Sequence, residues 1–99
     1  MEERMFFSGK AFCTHHHIEI SFLHSLHDYG LLEVTSSEED FLLPQDQLDA
    51  LEKMVRLHFD LNINLEGIDA IYNLLHRVED LQREVSTLRN QLRGFEAGT

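Results

Sequence analysis

Residues 18–32 read IEISFLHSLHDYGLL. Phe22, Leu23 and Leu26 fall on one side of a helical turn, which predicts a helix over about residues 20–29 with those three side chains inward. Gly30 ends it, because glycine accepts the left-handed conformation that closes a helix, and Leu31-Leu32 anchors the exit. Upstream, Ser8 is placed to cap a short helix over residues 9–15 that buries Ala11 and Phe12. A turn at His16-His17 then leads into Ile18. Phe6-Phe7 is a short apolar piece suited to an edge strand. Downstream, residues 33–40 are polar and turn-like, and Phe41-Leu42-Leu43 returns to apolar character. Helix, tight turn, helix and hairpin-like wing is the order of a winged helix-turn-helix.

The second half of the chain reads as two longer helices. Pro44 is suited to the first position of a helix reaching about Phe59, with Asp46 and Asp49 at its positive end. Leu48, Leu51, Met54, Val55, Leu57 and Phe59 form its apolar stripe. Asn62 is a left-handed stop, Ile63 tucks under the corner, and Asn64 caps a further helix from Leu65 to about Arg93, some 40 Å long. Leu65, Ile68, Ile71, Tyr72 and Leu75 offer a wide face for packing on the domain. Beyond it the pattern narrows to Leu74, Val78, Leu81, Val85, Leu88, Leu92 and Phe95, in steps alternating between four and three residues. That is a heptad seam. A 99-residue chain with no second long helix cannot cover it, so the expected partner is a second copy, with Arg77, Glu79, Arg83, Glu84 and Arg89 flanking the contact.

Composition narrows the function. The chain has 8 Lys plus Arg against 18 Asp plus Glu, a formal net charge of −10. Such a balance opposes a main role in gripping nucleic acid, whose phosphates must be neutralised by cations, and opposes docking on an anionic membrane. The charge is concentrated: residues 1–50 carry −8 and residues 51–99 carry −2. With 42% hydrophobic residues the chain can build one small core. No apolar run suits a membrane span or a signal peptide. The single cysteine, Cys13, precludes an internal disulfide and suits a reducing interior, so a cytoplasmic, soluble protein is expected.

Ile18, Leu23 and the Gly30-Leu31 step resemble the helix-turn-helix of MerR-type regulators, and residues 41–68 continue that outline. Ala11-Phe12-Cys13, Tyr29-Gly30-Leu31-Leu32-Glu33, Val55-Arg56-Leu57, residues 61–68 and the tail from Leu88 to Phe95 are similar to one branch, the CbpM-type chaperone modulators. The resemblance covers nearly the whole chain and implies a small bacterial homodimer. Its partner would be the J-domain of a CbpA/DnaJ-like co-chaperone; occupying that domain blocks stimulation of Hsp70 and DNA binding by the co-chaperone. The expected fold is all-α: a MerR-like winged helix-turn-helix, a medium helix, a long C-terminal coiled-coil helix and at most a small two-stranded wing. Residues 1–64 would hold the first parts and residues 65–99 the dimerisation helix, as a single structural unit.

One departure from DNA-reading relatives decides the functional expectation. Where MerR-type readers carry an Arg followed by aromatic residues, this chain reads His24, Ser25 and Leu26, and from Ile18 to Asp40 there are six acids and no Lys or Arg. A reading helix without a strong donor cannot make the common guanine contacts. The shell is therefore expected to bind protein, through an acidic face that includes Glu19, Asp28, Glu33, Glu38, Glu39 and Asp40, with His24, His27 and Tyr29 adding polar and aromatic contacts. A dimeric DNA-binding regulator is the alternative, with Arg4 and Lys10 as its few front-half cations. His15, His16, His17, His24, His27, Asp28 and Cys13 match no zinc spacing, so neither metal nor cofactor is expected. Cys13 reads as a small buried hydrophobe. With no phosphate-binding glycine loop and no catalytic constellation, an enzyme is not expected.

Overall fold

The computed structural model describes residues 4–36 and 39–97. Strand β1 (Phe6–Ser8) leads into helices α1 (Gly9–His16) and α2 (Ile20–Asp28). Strands β2 (Thr35–Ser36) and β3 (Phe41–Pro44) follow, then a 3-10 turn at Gln45–Gln47 and helices α3 (Leu48–Phe59) and α4 (Leu65–Ala97). The chain divides into two compact units, Met1–Asp69 and Ala70–Thr99.

The helix ends follow from local chemistry. Ser8 caps α1, its hydroxyl accepting from the Ala11 N–H at 3.1 Å. At the far end His17 takes a left-handed φ of 56°, and the N–H groups of His17 and Ile18 return to the Thr14 and Cys13 carbonyls. Gly30, φ 75°, closes α2 in the same way, with Gly30 and Leu31 donating to His27 and Leu26. These paired bonds satisfy the carbonyls that a helix end leaves open. Asn62 adopts φ 57° after α3, and the Asn64 side chain accepts from the Gly67 N–H at 2.8 Å to start α4. Replacing Asn64 with alanine is expected to cost about 1 kcal/mol in urea unfolding, and aspartate there should largely preserve stability.

The wing is larger than the two strands expected. It is a three-stranded antiparallel sheet in the order β1-β3-β2, so the fold is helical with a small sheet and not all-α. Phe6-Phe7 supplies the extra strand: Phe7 faces Leu43, and the Gln45 N–H extends the pairing to the Met5 carbonyl at 2.8 Å. Thr35 and Ser36 pair with Leu42 and Phe41, within a stretch read as turn. Pro44 is the last residue of β3 and not the start of a helix. Its ψ of 136° is extended, and proline pushes the preceding residue away from helical geometry. The medium helix therefore begins at Leu48.

The core of the first unit comes from every layer: Phe12 and Cys13 of α1, Phe22, Leu23 and Leu26 of α2, Leu32, Leu43 of β3, Leu51 and Met54 of α3, and Ile68 from the start of α4. Gly9 permits a close approach of α1 to β3, since a Cβ there would meet the Phe41 Cβ at 3.0 Å. Ala11, expected inside, is exposed because α1 turns the Gly9-Phe12-Cys13 side inward. Leu75, placed on the packing face by its spacing, is also exposed. α4 runs 33 residues to Ala97, roughly 50 Å, beyond the stop expected near Arg93. No helix among the described residues is long and apolar enough to cross a membrane.

Candidate functional site

Helix α2 and the wing together place most of the residues singled out by sequence, but not on one continuous patch. His24 is exposed on α2, its ring edge-on to Phe41 at 4.0 Å between centroids. Glu39 and Asp40 lie on the wing beside it. Lys10, Ile20 and Ser36 complete a cleft of about 310 Å3 around these groups. Glu38 lies outside the described residues.

Asp40 holds the wing to α1. Its carboxylate accepts from the Ser8 hydroxyl, from the Lys10 N–H at 3.0 Å and from its neighbour Phe41 N–H at 2.7 Å. The Ser8 bond, with help from those N–H groups and the Lys10 charge, holds the carboxyl below its ordinary range despite an opposing burial effect. The folded chain then binds fewer protons than the unfolded one. This contribution to stability is complete above the unfolded carboxylate value, about pH 4, and is lost as pH falls through the lower native value. Urea midpoints followed from neutral pH into acid are expected to fall less steeply for Asp40→Asn than for the wild type, starting from a lower value at neutral pH.

The other residues have separate duties. Glu19 is the residue before α2; it accepts from the Ser21 hydroxyl at 3.3 Å and borders a second groove, of about 420 Å3, with Phe22, His58 and Phe59. His27 turns its Nδ1 toward the Leu32 carbonyl at 3.0 Å. A carbonyl only accepts, so Nδ1 carries the proton, and the ring seals the corner after α2. His58 repeats the device after α3, donating to the Ile63 carbonyl at 2.9 Å. Asp28 ends α2, exposed. Tyr29 donates its hydroxyl to Glu66 at 2.7 Å, which raises the phenol pKa and lowers that of the carboxyl. Glu33 pairs with Arg4 at 2.5 Å and is held through its backbone by the Gln47 amide, in two bonds of 2.9 Å.

Sequence reasoning missed the walls of the cleft. The sequence placed Ile20 only at the start of the helix and Phe41 only in an apolar stretch, although the four-residue step from Ile20 to His24 marks a shared helix face. Lys10 was read only as a residual cation. The Arg4–Glu33 pair joins residues 29 apart and leaves no local signal.

Among the described residues, no group of three or more His, Cys, Asp or Glu side chains converges to hold a metal. Cys13 is buried and its thiol pKa is raised by that burial, with the Asp40 charge adding to the effect. A thiol kept protonated is a poor nucleophile.

The seam of α4 is uncovered in the single chain. Leu74, Val78, Leu81, Val85, Leu88, Leu92 and Phe95 are each 46–72% exposed. Polar pairs elsewhere on the helix are local, Arg83 with Asp80 at 3.0 Å and the His76 ring 3.9 Å from Glu79.

Compared with known protein families, the chain matches the model of MerR HTH family regulatory proteins over residues 7–90. No curated protein and no solved structure gives a significant match.

Proposed function

The chain belongs to the MerR helix-turn-helix regulatory family, and from that premise we propose a non-enzymatic modulator that binds protein, not DNA, with its α2–wing face. The partner is the J-domain of a CbpA/DnaJ-like co-chaperone, and binding blocks its stimulation of Hsp70. One observation carries the reading: the exposed positions of α2 and its flanks are Glu19, Ile20, Ser21, His24, His27, Asp28, Tyr29 and Gly30, with no Lys or Arg among them, and the wing adds Glu39. DNA affinity grows with each phosphate neutralised, and here the neighbouring Arg4 is already spent on Glu33. An acidic face instead steers toward a basic protein surface. The resemblance to CbpM-type modulators supplies the identity of that surface.

The working form is a homodimer joined through the α4 seam, because apolar stripes of this length are seldom left in water. Adding the protein to a CbpA-type co-chaperone with Hsp70 is expected to suppress ATPase stimulation in proportion to the co-chaperone bound. Unchanged stimulation at saturating protein would end the proposal. The family match also favours a second reading, a dimeric DNA-binding regulator. A sequence-selective mobility shift at low salt would establish that reading instead.

A further inference from the structure

We propose that the cleft between α2 and the wing is a receptor for one arginine side chain of the partner protein. The inference rests on the protein-binding reading of this face and specifies what the face selects. Three features point to a long cationic side chain. The first is shape and surface: Ile20 and the Phe41 ring give an apolar wall in a cleft of about 310 Å3, suited to an aliphatic stem. The second is the ring pair: Phe41 and His24 stand edge to face, 4.0 Å apart. A planar guanidinium stacks on such a wall and sheds water more easily than an ammonium. The third is charge: Glu39 lines the same cleft, is exposed, and among the described residues makes no hydrogen bond or ion pair. A carboxylate with no internal partner beside an aromatic wall can receive a guanidinium through charge-assisted bonds.

Asp40 does not do this work, since Ser8, Lys10 and Phe41 already engage it. Lys10 sets the opposite sign. It borders the cleft and its ammonium opposes an incoming cation. The two charges therefore make contrary predictions that a merely acidic surface would not.

The test is a titration of the full-length protein with N-acetyl-arginine amide, read from the ring resonances of His24 and Phe41. The neutral isostere N-acetyl-citrulline amide serves as control. Saturable shifts confined to the cleft are expected with the arginine compound and not with the citrulline compound. Glu39→Gln should weaken binding roughly two- to fivefold, the scale of an exposed ion pair, and Lys10→Gln should strengthen it by a similar factor. Both positions are exposed, so neither change should disturb folding, and unchanged far-ultraviolet dichroism checks this. Equal titration by the citrulline compound, shifts scattered over the acidic surface without saturation, or a common direction of change for the two variants would overturn the inference. J-domain binding without an arginine response in the cleft removes this inference and leaves the proposed function standing. An arginine response without J-domain binding leaves the cleft standing and removes the J-domain.

Discussion

With Leu81→Glu and Leu88→Glu combined, the protein is expected to sediment as a monomer at tens of micromolar, where the wild type sediments as a dimer. Both leucines occupy the same heptad position and are 58% and 57% exposed in the single chain. In a paired coil each enters a hole on the facing helix. Burying a leucine is worth about 1.5–3 kcal/mol, so four leucines across two copies represent about 6–12 kcal/mol. That range brackets the whole association free energy of a micromolar dimer, about 8 kcal/mol. Four carboxylates facing one another would add repulsion. The helical dichroism of the variant should also fall, since a lone helix without a packed face is marginal in water. Arg83, counted from spacing among the residues flanking the seam, lies two positions from both Leu81 and Val85 and so on the opposite side of the helix, where it pairs with Asp80; Arg83→Ala should leave the dimer intact. A double variant that still sediments as a dimer would move the contact off the seam.

The other large effect is in the core of the first unit. Leu26 on α2 is fully buried, and its truncation in Leu26→Ala removes contacts that the surrounding layers cannot restore. The expected loss is about 2–5 kcal/mol. For a domain of this size that corresponds to a melting temperature lower by about 10–25 °C, a large share of the total stability. Leu61→Ala, where the side chain is 64% exposed, should change stability by under about 0.5 kcal/mol. Thermal unfolding of the two variants side by side distinguishes a core anchored on α2 from one held together by the α3–α4 corner.

What could be read from the sequence is what short-range chemistry dictates. The Ser8 and Asn64 caps, the Gly30 and Asn62 stops and the inward set Phe22, Leu23 and Leu26 each depend on residues within one or two turns, and the structure has them where the spacing put them. The α4 seam was visible because a heptad repeats itself. The sheet was not legible in full, because β1 pairs with β3 across more than 30 residues, and three residues with no alternation carry no sign of their partner. Pro44 misled for a related reason: proline fits either a first helical position or an extended strand end, and the β1 pairing decided between them.

The candidate site divides along the same line. Charge sums along the chain showed that the reading helix lacks cations, because counting needs no geometry. Which carboxylates remain available did depend on geometry. Asp40 is drawn into the α1 N-terminus by Ser8, and Glu33 is taken by Arg4, while Glu39 stays free to meet a partner. His27 is exposed and also bonds the Leu32 carbonyl at the corner after α2, a duty its spacing did not signal.

The central claim is that an acidic helix-turn-helix face prefers a basic protein domain to nucleic acid. Calorimetric titration of a CbpA-type J-domain into the protein, repeated at low and high salt and set beside a titration with duplex DNA, tests it most directly. The account predicts saturable J-domain binding at one domain per protomer, weakened by salt and by Glu39→Lys, with no saturable heat from DNA. Tight, sequence-selective DNA binding with no heat from the J-domain would contradict it.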